Sequence, residues 1–200
     1  MVEPTAASPR IDLPEERTEA LVRLLRSIQV PATEGADLSD AARQANATAF
    51  ADLDDFFDFE RLVHDPITPY RDLFSAEQLR RFERQFREVI RLVAFPSASR
   101  ALNGAHVRLK TRGPEHGREG IAVTMTVRSV RDKREADITF HWIDGPHGLR
   151  VGDLRVEGAS LVDNYRRQFG RMLKDGSVET LLEKLAARLE EARHERVVAH

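Results

Sequence analysis

The chain predicts an α+β fold: a four-stranded, curved antiparallel meander with helices packed on one face. Three observations carry this. Up to Pro96 apolar residues recur at helical spacing, from His106 to Val156 they alternate, and after Ser160 the helical period returns. Helices, then strands joined by short turns, then helices again is the order of an α+β domain.

Met1 to Leu13 reads as a polar arm, so residues 1–13 are expected to be flexible, 14–195 to form one domain, and 196–200 to fray. Pro14-Glu-Glu opens the first helix, with Leu21, Leu24, Leu25 and Ile28 on one face and Pro31 as its stop. A linker over Pro31 to Gly35 leads to a second helix starting near Leu38 or Ser39. That helix carries Ala45, Ala49, Phe50 and Leu53 towards Phe56-Phe57-Asp58-Phe59. Pro66 and Pro69 then break the chain. Ser75-Ala-Glu-Gln78 is a capping box. Behind it, Leu79, Phe82, Phe86, Val89, Ile90 and Val93 form an apolar face opposite Arg80, Arg81, Arg84, Arg87 and Arg91. This helix is expected to end at Phe95-Pro96.

Four alternating runs follow. Val107 and Leu109 mark the first, and a loop over Gly113 to Gly120 leads to Ile121, Val123, Met125 and Val127. After the charged turn Arg131 to Arg134 come Ile138, Phe140 and Trp142; after Asp144-Gly145 and Gly148 come Leu149, Val151, Leu154 and Val156. The last run changes phase at Gly152-Asp153, which predicts a bulge that bends the strand. Ser160 caps a helix with Leu161, Val162, Tyr165, Phe169, Met172 and Leu173 on its apolar side. Ser177 caps the last, with Leu181, Leu182, Leu185 and Leu189 inward.

Composition narrows the function. In 200 residues, 33 acids against 31 bases leave a net charge of −2, which argues against a basic nucleic-acid-binding protein and against an acidic disordered tail. Four of the bases are lysine (Lys110, Lys133, Lys174, Lys184); the rest are arginine. Mean hydropathy is −0.45 and the longest apolar run is Leu92 to Phe95, far short of the roughly 20 residues of a membrane span. There is no cysteine, hence no disulfide, thiolate ligand or cysteine nucleophile. The start of the chain shows neither the basic nor the apolar region of a secretory signal.

No motif demands catalysis or a metal. The seven histidines show no tight ligand spacing; His141, Asp144 and His147 around one turn come nearest, and read as solvated turn residues. Asp54, Asp55, Asp58 and Glu60 suit helix caps better than an acid–base pair. Ser160 lacks the flanking glycines of a nucleophile elbow, and Gly113, Gly117 and Gly120 lie between strands with no phosphate-loop lysine. The strong signal is apolar. Phe50, Phe56, Phe57, Phe59, Phe82, Phe86, Phe140, Trp142, Tyr165 and Phe169 all fall on faces directed to the concave side of the sheet. Periodicity does not distinguish a filled core there from a lipid-lined cavity.

Val156-Glu-Gly-Ala-Ser-Leu-Val-Asp-Asn-Tyr-Arg-Arg-Gln-Phe169 closely resembles the strand-to-helix signature of the MlaC family, periplasmic phospholipid-shuttle proteins that serve ABC transporters. The family pattern is roughly E-G-V-S-L-V-x-N-Y-R-x-Q-F, with Ala159 here replacing the valine. Phe57-Asp-Phe59 resembles the family's aromatic–Asp–Phe element, and Ser75 to Phe86 its capped helix; the likeness spans about Leu21 to Leu189. Two stretches depart. Ile67-Thr-Pro-Tyr-Arg71 stands where the family has Leu-Gly-x-x-W-R, and Ala94-Phe-Pro-Ser-Ala98 replaces an aromatic-rich helix end.

The resemblance implies a nuclear-transport-factor-like cone holding a glycerophospholipid, its tails between sheet and helices and its head group near solvent. Each buried methylene is worth ~0.8 kcal/mol, so two long tails gain roughly 20 kcal/mol gross. Leaving an equally apolar bilayer offsets much of that. Transfer near balance suits a carrier, and energy must come from a partner.

The tail contacts implied are Phe82, Phe86, Ile90, Leu161, Val162, Tyr165 and Phe169 from helices, with Val123, Met125, Val127, Ile138, Phe140, Trp142 and Leu154 from strands. Arg166 meets either a lipid phosphate or a neighbouring carboxylate. The role implied is a non-enzymatic periplasmic carrier, its signal peptide removed, with no cofactor beyond its phospholipid cargo. Its partners would be an inner-membrane ABC transporter complex with a lipid-binding MCE-domain subunit and an outer-membrane lipoprotein–porin complex, which together maintain outer-membrane lipid asymmetry. A hopanoid or other lipid cargo fits the same fold. Two other readings remain: an enzyme with a titratable group buried in the pocket, and an interaction module with a filled core and an arginine-rich helix face.

Overall fold

The protein is described by a computed structural model over residues 13–31, 38–112, 120–146 and 148–194. The expected arm up to residue 12, most of the first linker, the body of the first hairpin loop, His147 and the tail from residue 195 lie outside these residues.

The opening helices follow their sequence signals. Helix α1 (Pro14–Ser27) starts with proline, whose missing N–H costs nothing in a first turn, and buries Leu21, Val22 and Leu25. Helix α2 (Asp40–Asp54) is capped by Ser39, whose hydroxyl accepts from Ala42 N–H. The chain leaving α1 is held by Asn46: its amide accepts from Gln29 N–H and donates to Gln29 C=O, both at 2.8 Å. Asp58 caps the short α3 (Phe59–His64), and a 3-10 turn spans Thr68–Leu73.

Helix α4 (Ala76–Val89) has the full capping box of Ser75 and Gln78. It does not stop at Phe95-Pro96. A π-turn over Ile90–Ala94 widens the helix, with Phe95 N–H bonding back to Ile90 C=O, and α5 (Phe95–Asn103) continues. Pro96 falls in the first turn of α5, where no N–H is needed, so it starts a helical segment instead of ending one.

The sheet has five strands in sequential order, not four. Strands β1 (Ala105–Arg112), β2 (Ile121–Ser129), β3 (Glu135–Gly145) and β4 (Gly148–Val156) form the antiparallel meander, and β5 (Ala159–Ser160) adds a two-residue edge. Glu157 (φ 50°) and Gly158 (φ 77°) make the turn into β5, since two successive left-handed residues reverse a hairpin without splaying it. Two residues leave no detectable alternation, which hides β5 from periodicity. The bulge falls as predicted: His141 faces Asp153 and Trp142 faces Val151, leaving Gly152 unmatched. A Cβ at Gly152 would lie 2.7 Å from the Ile143 side chain. At the same bend Asp58 N–H donates to Val151 C=O and Val151 N–H to Phe56 C=O, clipping the aromatic segment to β4.

Helices α6 (Leu161–Asp175) and α7 (Val178–His194) complete the chain. Helix α1 lies over β1 and β2, α5 over β1, and α3 and α6 against β4, while α7 packs along α4. Across the concave side, the fully buried Trp142 donates Nε1–H to Thr18 Oγ1 (2.8 Å), and the Thr18 hydroxyl donates to Pro14 C=O (2.7 Å). Arg17 lies 4.3 Å above the Phe56 ring and donates to the Leu149 carbonyl.

A buried donor that loses its acceptor pays its full desolvation cost. Thr18→Val keeps the shape and strands the indole N–H, so urea unfolding should show a loss of about 1–3 kcal/mol. Trp142→Phe should then cost less in the Thr18→Val background than in the native chain.

Candidate functional site

Helices do not cover the sheet's inner face evenly. On β2, Val123 and Met125 are buried and Val127 is half-buried; on β3, Phe140 is buried and Ile138 half-buried. On β4, Val151 is buried, Leu154 half-buried and Val156 44% exposed. Exposure therefore rises along each of these strands towards the β2–β3 hairpin. Between sheet and helices lies a cavity of about 230 Å³ that opens to this end.

Its walls come from every layer. Met125, Val127, Ile138, Phe140, Leu154 and Val156 form the sheet side; Leu161, Val162 and Tyr165 come from α6. Phe86 and Ile90 reach in from α4 and the π-turn, and Ala94, Phe95, Ala98, Ala101 and Leu102 line the α5 side. Leu25, Phe57 and Leu62 close the floor. None of these side chains is charged, and the Tyr165 hydroxyl is their one polar group.

Of the residues expected to contact tails, Phe86, Ile90, Met125, Val127, Ile138, Phe140, Leu154, Leu161, Val162 and Tyr165 line the cavity. Phe82, Val123, Trp142 and Phe169 lie behind it. Trp142 is tied to Thr18, and Val123 is fully buried in the sheet. Phe82 meets Phe169 edge to face at 5.4 Å and Phe86 in a tilted pair at 5.5 Å, and Phe169 stacks on Tyr165 at 5.6 Å. These rings hold Phe86 and Tyr165 in place from the far side.

Sequence reasoning missed the floor and the α5 wall. Leu25 and Leu62 carried an ordinary amphipathic signal that names no partner. The sequence pattern directs Phe57 to the concave side and ties it to no site. The wall did have a signal: Ala94, Ala98 and Ala101 recur at spacings of four and three, one helical face of small residues.

The polar groups singled out by sequence are engaged elsewhere. Arg166 donates to Asp163 (2.7 Å) and to the Asp65 carbonyl (3.2 Å and 3.3 Å), joining α6 to the end of α3 and lying outside the cavity wall. Burial raises the Asp65 carboxyl above its ordinary value, and Arg61 and Arg166 pull it back in part. Asp54 pairs with Arg91, Asp58 caps α3, and Ser160 caps α6 by accepting from Asp163 N–H. Among the described residues no group of three or more histidines and carboxylates is placed to hold a metal ion. No helix among them is long and apolar enough to cross a membrane.

Tyr165 sits edge-on to Phe86 at 4.8 Å, and burial pushes its phenol above the ordinary value of 10.0. The folded state thus holds this proton more tightly than the unfolded state. Its contribution to stability is complete below pH 10.0 and is lost as pH rises through the folded-state pKa. With Tyr70→Phe leaving one tyrosine, ultraviolet titration should show the phenolate midpoint above pH 10.0 in the folded chain and at about 10 after unfolding.

A profile of the family described as MlaC protein matches residues 24–187. No curated protein sequence matches the chain. Among solved structures, the chain resembles the phospholipid-binding protein from Ralstonia solanacearum, determined in complex with a phospholipid, with a TM-score of 0.63. The two share 16% identity over 90% of this chain and 96% of that one, a likeness of fold.

Proposed function

The chain belongs to the MlaC family, and on that footing we propose that it is a lipid carrier whose acyl cargo occupies the cavity between sheet and helices. The observation that carries this is the lining. About 230 Å³ is bounded by apolar side chains and one neutral phenol, at the end where the helices leave the sheet uncovered. An engineered apolar cavity of about 150 Å³ stays dry and takes up benzene. This one is larger and lies next to solvent. The structurally similar Ralstonia solanacearum protein was determined with a phospholipid bound, which makes a glycerophospholipid the first candidate.

Energetics favour a filled pocket. At about 24 cal/mol per Å³, a sealed and unfilled apolar space of this size would cost on the order of 5 kcal/mol, an upper bound for a cavity open at one end. Acyl carbons recover that cost. Two full chains exceed the volume, so loading requires the half-buried rim to move outward. Sheet side chains are pinned by the ladder, which leaves the α5 wall and the start of α6 to move.

In the finer reading the chain is a nuclear-transport-factor-like cone working in the periplasm. It exchanges phospholipid between an outer-membrane lipoprotein–porin complex and an inner-membrane ABC transporter complex with an MCE-domain subunit, and so maintains outer-membrane lipid asymmetry. In this reading it acts as a carrier without catalysis; among the described residues the cavity lining holds no carboxylate, histidine or serine, and its one polar group is the Tyr165 phenol. Phe82, Val123, Trp142 and Phe169 would back the tail-contacting shell, and Arg166 would brace α6 instead of meeting the phosphate.

Native mass spectrometry of the purified chain, followed by organic extraction, tests this directly. The expected result is a bound mass that extracts as phospholipid and raises the thermal unfolding midpoint. Ala98→Phe fills the α5 side of the space. Excluding about two methylenes at ~0.8 kcal/mol each should lower lipid occupancy roughly tenfold. A chain that is folded, carries no lipid and takes none up from vesicles would falsify the carrier reading.

A further inference from the structure

The cavity opens towards one end of the molecule, and the tip of the β2–β3 hairpin stands at that same end. Val130 lies at the tip and is 49% exposed, among the most exposed large apolar side chains described. Arg128, Arg131, Lys133 and Arg134 surround it and are all exposed. The tip has a defined shape. Ser129 N–H donates to Arg134 C=O (2.9 Å), and Val130 N–H donates to the Gly104 carbonyl at the end of α5 (2.9 Å). Lys133 takes a left-handed backbone (φ 59°). One helical turn before Gly104, Arg100 is a further exposed cation.

The charge here is opposite to that of the whole chain. Asp132 and Glu135 offset part of it, through exposed pairs to Arg134 (3.4 Å) and Arg128 (3.7 Å) that contribute little. Two more carboxylates stand behind the tip, Asp137 accepting from Thr126 and Glu157 accepting from Asp137 N–H. Arg131, Lys133 and Arg100 have no carboxylate partner among the described residues, and the hairpin tip itself, residues 128–135, carries four cations against two carboxylates on a chain of net charge −2.

Taking the lipid-carrier reading as its basis, we propose that the β2–β3 hairpin tip docks on an anionic lipid surface, with Val130 entering the head-group layer and Arg128, Arg131, Lys133 and Arg134 meeting the lipid phosphates. The complementarity is both electrostatic and hydrophobic. Clustered basic side chains are drawn to anionic leaflets, and one exposed apolar residue adds a short insertion. Docking in this orientation sets the row Val127, Ile138 and Val156 facing the bilayer. A tail can then pass between membrane and cavity along a continuous apolar edge without crossing water.

Co-sedimentation of the full chain with vesicles tests the surface. One set holds equal parts phosphatidylglycerol and phosphatidylcholine, the other phosphatidylcholine alone. The native chain should bind the anionic set and be released near 1 M salt, where the screening length falls to about 3 Å. Arg131→Gln should weaken binding on the order of fivefold. The triple change Val130→Asp, Arg131→Glu and Lys133→Glu should abolish it. None of these residues lines the cavity, so all variants should keep the native chain's extractable lipid.

Unchanged vesicle binding by the triple variant overturns the docking surface. So does a native chain that carries lipid but binds neither vesicle set; the basic tip then belongs to an acidic protein face. In both cases the carrier reading stands. A native chain that never carries lipid overturns that reading, and the docking proposal falls with it.

Discussion

Apolar side chains that meet across a gap attract one another, and a sheet that keeps about 230 Å³ of such space must be held open against that tendency. The frame that resists closure is visible on three sides. The Trp142 indole is bonded to Thr18, fixing how closely α1 approaches the sheet. The bulge at Gly152 bends β4, and Phe56 to Asp58 clip onto the bend, so the floor cannot slide. Phe82, Phe86, Tyr165 and Phe169 brace α4 against α6 by contacts worth about 0.5–1.5 kcal/mol each beyond burial. All three supports lie away from the open end.

This arrangement divides the molecule into a rigid half and a yielding half. The sheet and its back-packed rings offer a fixed surface. The opposite wall is mixed: Ala94, Ala98 and Ala101 present little side-chain bulk, while Phe95, Leu102, Val162 and Tyr165 pack into the core. Small side chains make shallow contacts, so their displacement forfeits little dispersion energy. A cargo larger than the cavity therefore has a preferred direction in which to make room.

Much of this was legible in the sequence because the responsible signals are local. Ser75 and Gln78 wrote the capping box, alternation from Val107 to Val156 gave the meander and its inner face, and the phase change at Gly152 gave the bend. What stayed hidden depends on contacts far along the chain. Trp142 and Phe140 alternate identically, yet one is tethered to α1 and the other lines the cavity. Phe82 and Phe86 share a helix face and both pack edge to face on Phe169, yet only Phe86 reaches the cavity. Arg166 shows the same limit for charge, since its guanidinium is claimed by Asp163 and the Asp65 carbonyl. Pro96 misled for a different reason: a proline stops a helix only if the preceding turn demands its N–H, and a widened turn does not.

The π-turn at Ile90–Ala94 also sets the rotational phase of everything after it. A helix advances about 100° per residue, and one i→i+5 turn absorbs nearly one residue's worth of rotation. Wound as an uninterrupted α-helix, the same residues would bring Ser97 and Arg100 to the positions now held by Ala98 and Ala101, placing a cation against the acyl space. The wide turn thus behaves as an insertion swallowed in place. Removing one residue between 90 and 94 would restore ordinary helix and leave the alanine wall where it is, whereas a deletion early in α5 would swing the rest of that wall out of register. A one-residue deletion therefore leaves the wall in place at the π-turn and disrupts it just beyond.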